Sequence, residues 1–142
     1  MNNYPFLSGQ TALLILRIVT PLLFMAHAII RIAHNTIPQF ALFMGNAGFP
    51  QPTAVVWAIT IVELVAGVML LLGVQVRWAA TALAAIAFGG IVLIHRNLGW
   101  FVGEHGTGGS EYSVALLVML LVLAAFDGDA RRQRRRAVSP RG

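Results

Sequence analysis

The 142-residue chain has no cysteine. That excludes disulfides, thiol redox chemistry, cysteine-ligated zinc and iron–sulfur clusters. Charge is the second scarcity: Asp, Glu, Lys and Arg together make 11% of the chain, less than half of the roughly 25% of an average soluble domain. Lysine is missing altogether, since all ten basic residues are arginine. Catalytic signatures are missing as well. There is no HExxH, no GxSxG and no recognisable Ser-His-Asp set. The glycine run GEHGTGGS lacks the Gly-Lys-Ser/Thr ending of a phosphate loop and does not join a strand to a helix.

What is present in quantity is apolar surface, 58% of the residues. One domain's length with so little charge points to an integral membrane protein. Four apolar segments stand out: about Thr11 to Ala33, Thr53 to Gly73, Val76 to His95 and Glu111 to Phe126, the last at the lower limit of length for a span. Gly73-Val74-Gln75 predicts a tight turn and an antiparallel helical hairpin. IPQFALFMGNAGFPQP, between the first two segments, predicts a short helix lying in the membrane interface. Trp100 and Phe101 are expected at headgroup level. Met25-Ala26-His27-Ala28 resembles a signal-peptide cleavage site, but no basic region precedes it and Arg17 interrupts the apolar stretch, so the segment is expected to remain.

Six of the ten arginines fall in the last twelve residues, RRQRRRAVSPRG. Beside a membrane helix such a run marks the cytoplasmic side and contacts anionic lipid rather than nucleic acid. The expected fold is therefore all-α: an integral membrane four-helix bundle over residues 1–128, both termini cytoplasmic, followed by an Arg-rich cytoplasmic tail over 129–142. Arg77 falls in the cytoplasmic turn, while Glu104 and Glu111 offset Arg96 on the outer side.

The first segment, LLILRIVTPLLFMAHAIIRIAH, carries its polar groups on one side. At about 100° per residue, Arg17, Phe24, His27, Arg31 and His34 fall within an arc of roughly 100°. Such a face must look inward, because a mid-span arginine facing lipid costs about 2.5–3.5 kcal/mol. Glu63, near the middle of the second segment, is the expected partner of Arg17 in a buried ion pair that fixes register. Near the outer end, His27, Arg31, His95, Glu111 and Tyr112 converge from three helices. They form a candidate ligand site, with Phe24, Trp57 and Phe88 as apolar walls. Histidine and tyrosine can hydrogen-bond the two carbonyls of a quinone. Helix capping and headgroup anchoring would explain Arg31, His34 and Arg96 equally well, but not the deeper His27. No metal site is expected. A b-type haem on His27 and His95 is the weaker alternative, since two histidines are a thin basis for a ligand pair. In the third segment Ala79, Ala80, Ala84, Ala85, Ala87, Gly89 and Gly90 permit close helix packing, or a homodimer face.

Together these residues resemble the DoxX family of small bacterial membrane proteins. The similarity lies in LLILRIVTPLLFMAHAIIRIAH, GFPQP, ELVAGVMLLLGVQVRWAATALA, His95 and GSEYSVALL, over about residues 11 to 128. The resemblance implies a four-helix bundle in the bacterial inner membrane. It also implies a role near the quinone pool, as a membrane subunit or partner of an oxidoreductase. No residue here is itself an electron carrier, so a redox role needs a borrowed cofactor. A scaffold or assembly subunit and a small transporter remain as alternatives.

Overall fold

A computed structural model describes residues 6–94, 98–101 and 109–138, with side chains as far as Asp127. Among the described residues there are five helices and no strand: α1 (Gly9–Ala33), α2 (Ile37–Asn46), α3 (Pro52–Leu72), α4 (Val76–Leu93) and α5 (Glu111–Val138). Three of them, α1, α3 and α4, are long and apolar enough to cross a membrane.

The ends of these helices follow from local chemistry. Ser8 caps α1, its hydroxyl accepting from the Thr11 amide at 3.1 Å; this satisfies one of the free N–H groups of the first turn. Pro52 opens α3, where a missing N–H costs nothing. At the far end of α3 the Val74 amide donates to Met69 O and the Gly73 amide to Leu70 O, with Gly73 at φ 69°. That double bond pattern around a left-handed residue is the Schellman stop. Gln75, also left-handed at φ 47°, then starts α4. The expected hairpin turn is thus present, and so is the expected short helix, as α2.

α3 packs on α1 and α4, α5 packs on α4 and back on α1, and α2 lies on α3. Four of the small residues of α4 serve this internal packing. Ala79, Ala80, Ala84 and Ala87 are buried with Leu83 in one core with Leu116, Leu120 and Leu123 of α5. α1 and α3 come close where Gly67 faces Met25; a Cβ on Gly67 would stand 2.5 Å from Met25 Cγ. Thr20, fully buried on α1, directs its hydroxyl at Met119 Sδ of α5 at 3.7 Å.

One element runs further than the apolar pattern suggests. Hydrophobicity ends near Phe126, yet α5 continues to Val138. Alanine, arginine and glutamine are good helix formers, and the next proline is Pro140. Residues 129–138 of the Arg-rich tail therefore continue α5; 139–142 lie outside the described residues.

Candidate functional site

Glu63 lies near the middle of α3 with 4% of its surface exposed. A bare carboxylate there would be costly, and the fold meets it with Arg31: Nη1 stands 2.7 Å from Glu63 Oε2. The same Nη1 donates to Thr60 Oγ1 at 2.8 Å. Thr60, in turn, donates its own hydroxyl proton to Val56 O at 2.8 Å, one turn back on α3, which aims a lone pair at the guanidinium. Both protons of Nη1 are thus used, and Nε and Nη2 keep theirs. The Phe40 ring of α2 covers the guanidinium, 5.1 Å from ring centre to Cζ, a cation–π contact.

The expected Arg17–Glu63 pair does not form. Cα–Cβ bonds lean toward the N-terminus of a helix. Arg31, near the C-terminal end of α1, therefore leans back toward the middle of α3, and Arg17 leans away from it. Arg17 instead lies against Gly73 at the end of α3; a Cβ placed there would be 3.1 Å from Arg17 Nη1.

Beside the Arg31–Glu63 pair is a cavity of about 470 Å³. α1 contributes Phe24, His27 and Arg31, α3 contributes Val55, Ile59 and Glu63, and α5 contributes Tyr112, Ser113 and Leu116. Ile86, Gly89, Gly90 and Leu93 form the α4 wall, and Phe40, Met44 and Phe49 close the chamber from α2 and the loop after it. The His27 and Tyr112 rings meet at a centroid distance of 6.3 Å, tilted by 59°. The result is an apolar chamber with polar groups from three helices on its walls.

Of the residues picked out by sequence, Phe24, His27, Arg31, Glu63 and Tyr112 line this chamber. Trp57 and Phe88 do not; they point outward, 43% and 59% exposed. Helical angle explains both. Trp57 is six residues from Glu63, roughly 120° around α3, and Phe88 is two residues from Ile86 and Gly90, roughly 200° around α4. Glu111 stands in the first turn of α5, where the helix dipole favours a carboxylate, and is not part of the chamber wall. His34 caps the end of α1 and is exposed. His95, Arg96 and Glu104 lie outside the described residues.

Sequence reasoning missed Thr60, Phe40, Met44 and Phe49. Two signals were there. Thr60 is one turn from Glu63, and Phe40 and Met44 share a face of α2 at a spacing of four.

No curated protein and no solved structure matches the chain. A family match runs over residues 12–96, from the first turn of α1 through the end of α4. GSEYSVALL, at the start of α5, lies outside it. The matched stretch holds His27, Arg31 and Glu63 and covers more than half of the chain, which belongs to the DoxX family.

Proposed function

We propose that this protein is a multi-pass subunit of the bacterial inner membrane that holds a quinone headgroup in the chamber between α1, α3, α4 and α5, in association with an oxidoreductase. The apolar stretch of α5 is the fourth span: its sixteen residues from Glu111 to Phe126 rise about 24 Å, short of a hydrocarbon core of about 30 Å. A span that short is met by local thinning of the bilayer and snorkelling of the flanking residues. Both termini then lie on the cytoplasmic side, where the arginines of the α5 extension meet anionic lipid.

The observation that carries this reading is the chemistry of the chamber. Arg31 is matched by Glu63, so the pair brings no net charge and suits a neutral ligand. The N–H donors of Arg31 that Glu63 and Thr60 leave free, with the His27 imidazole and the Tyr112 hydroxyl, suit a ligand with carbonyl acceptors. The remaining walls, aromatic and aliphatic, suit a flat ring with an apolar tail. His27, Arg31 and Tyr112 would bind and orient the headgroup; electrons would come from a partner protein, since the chain has no carrier of its own. The haem alternative depends on His95, outside the described residues, and has no support from the chamber.

Native mass spectrometry on protein gently solubilised from its own membrane tests the proposal. The expected result is a bound mass in the quinone range, absent from a His27→Ala/Tyr112→Phe variant. A bare chain, with turnover of its complex unaffected by that variant, would reject quinone binding and return the weight to a scaffold or an ion path through the Arg31–Glu63 pair.

A further inference from the structure

We infer that the opposite end of the molecule holds one anionic phospholipid, a monoanionic phosphodiester of the phosphatidylglycerol type, with its phosphate on Arg17. A groove of about 340 Å³ lies there, away from the chamber, bounded by α1, the start of α4 and α5. Its apolar walls are Leu13, Leu14, Leu123 and Phe126, and its polar groups are Gln10, Arg17 and Asp127.

Arg17 is the reason to expect an anion. Its Nε is buried without a hydrogen-bond partner, and among the described residues the ion pair of Glu63 goes to Arg31, not to Arg17. The guanidinium is held against Gly73, the left-handed residue that ends α3. The last carbonyls of a helix carry partial negative charge and orient a cation, but they do not neutralise it. A planar guanidinium binds phosphate oxygens in pairs.

Depth identifies the source of the phosphate. Gly73 begins the turn between α3 and α4, the edge of the span. Just beyond it Arg77 stacks on the exposed Trp78, with Cζ 5.9 Å from the ring, as interfacial residues do. At that level lipid phosphates are the abundant anions, and the leucine and phenylalanine walls are in place for the upper part of an acyl chain.

The rim narrows the headgroup. The Gln10 side chain lines the groove, its carboxamide oxygen accepts hydrogen bonds, and the glycerol head of phosphatidylglycerol offers hydroxyl donors to it.

The full chain, exchanged into detergent with equal amounts of phosphatidylglycerol and phosphatidylcholine, is measured by native mass spectrometry for retained lipid. One phosphatidylglycerol should be retained in preference to phosphatidylcholine. Arg17→Gln should reduce that preference about fivefold, the effect of one basic residue at a charged surface. Leu14→Trp, which fills the groove and keeps Arg17, should do the same. Changing Arg131, Arg132, Arg134, Arg135 and Arg136 to Gln should leave it in place. An unfolding midpoint of Arg17→Gln close to wild type in phosphatidylcholine controls for folding. The inference is overturned by equal retention of both lipids, by a preference lost only in the tail variant, by displacement with millimolar inorganic phosphate, or by an Arg17→Gln protein that binds like wild type. None of these outcomes bears on the chamber at the other end.

Discussion

Glu63 decides how the interior of this protein is wired. It has one strong partner, Arg31, and Thr60 steadies that partner from one turn away. Removing half of such a pair strands the other half, so Glu63→Ala should cost about 3–5 kcal/mol. Replacing both charges by methionine, in Arg31→Met/Glu63→Met, should recover most of that loss, because a packed apolar pair carries no desolvation penalty. Unfolding midpoints of the two variants in the same detergent provide the comparison; equal losses would show that the pair is not a unit. On the ligand side, His27→Ala and Tyr112→Phe should each weaken quinone binding by about fivefold, the worth of one ordinary hydrogen bond. At this scale the rotation of about 100° per residue puts Phe24, His27 and Arg31 on one face, and all three line the chamber, whereas His34 on the same arc is exposed. The sequence did not show which arginine meets Glu63. That depends on the lean of side chains along the helix axis, which a rotational pattern does not contain.

The helices are held at two close approaches that single substitutions can probe. Gly67 leaves room for Met25 where α1 meets α3, and Pro21 O lies 3.7 Å from where its Cβ would be. Gly67→Val should cost about 1–3 kcal/mol by overpacking, and Met25→Ala should relieve part of it; thermal unfolding of the double variant checks the coupling. Gly73 combines a φ of 69° with the Arg17 guanidinium 3.1 Å from its Cβ position. Gly73→Ala should therefore cost about 1–2 kcal/mol from the left-handed backbone alone. It should also disturb Arg17, seen as loss of phosphatidylglycerol preference. Helix positions were readable from apolar run lengths, and α1, α3 and α4 lie within a few residues of expectation. α5 runs on past its apolar stretch because helix propensity continues through the arginines. Apolar character alone does not distinguish a wall from a lipid-facing side chain: Trp57 and Phe88 are both turned outward by their helical angle.

For the whole molecule, the scarcity of charge was enough to indicate a membrane protein, and the ordered set of motifs was enough to indicate the DoxX family. The chamber was harder to foresee. It needs α2 folded over the C-terminal end of α1 and the N-terminal end of α3, with Phe40 above Arg31 and Met44 and Phe49 beside it. No local pattern announces that a connecting segment will close a cavity. The two ends of the molecule also differ in electrostatic design. The chamber contains an arginine matched by a carboxylate and suits a neutral guest. In the groove at the other end Arg17 forms no ion pair among the described residues, and the proposed guest is an anion.

If the chamber is a quinone site, Gly89 offers the most direct test. It lines the chamber, and a Cβ there would meet nothing within 4 Å. Gly89→Leu should therefore fold at least as well as wild type, since leucine is the better helix former, while its side chain occupies the ligand's space. The measurement is equilibrium binding of a short-chain benzoquinone to the full protein in lipid nanodiscs, wild type against Gly89→Leu. The expected result is saturable binding to wild type that weakens by about tenfold or more in the variant. Saturable binding of equal strength in both proteins, or none to wild type, would contradict it.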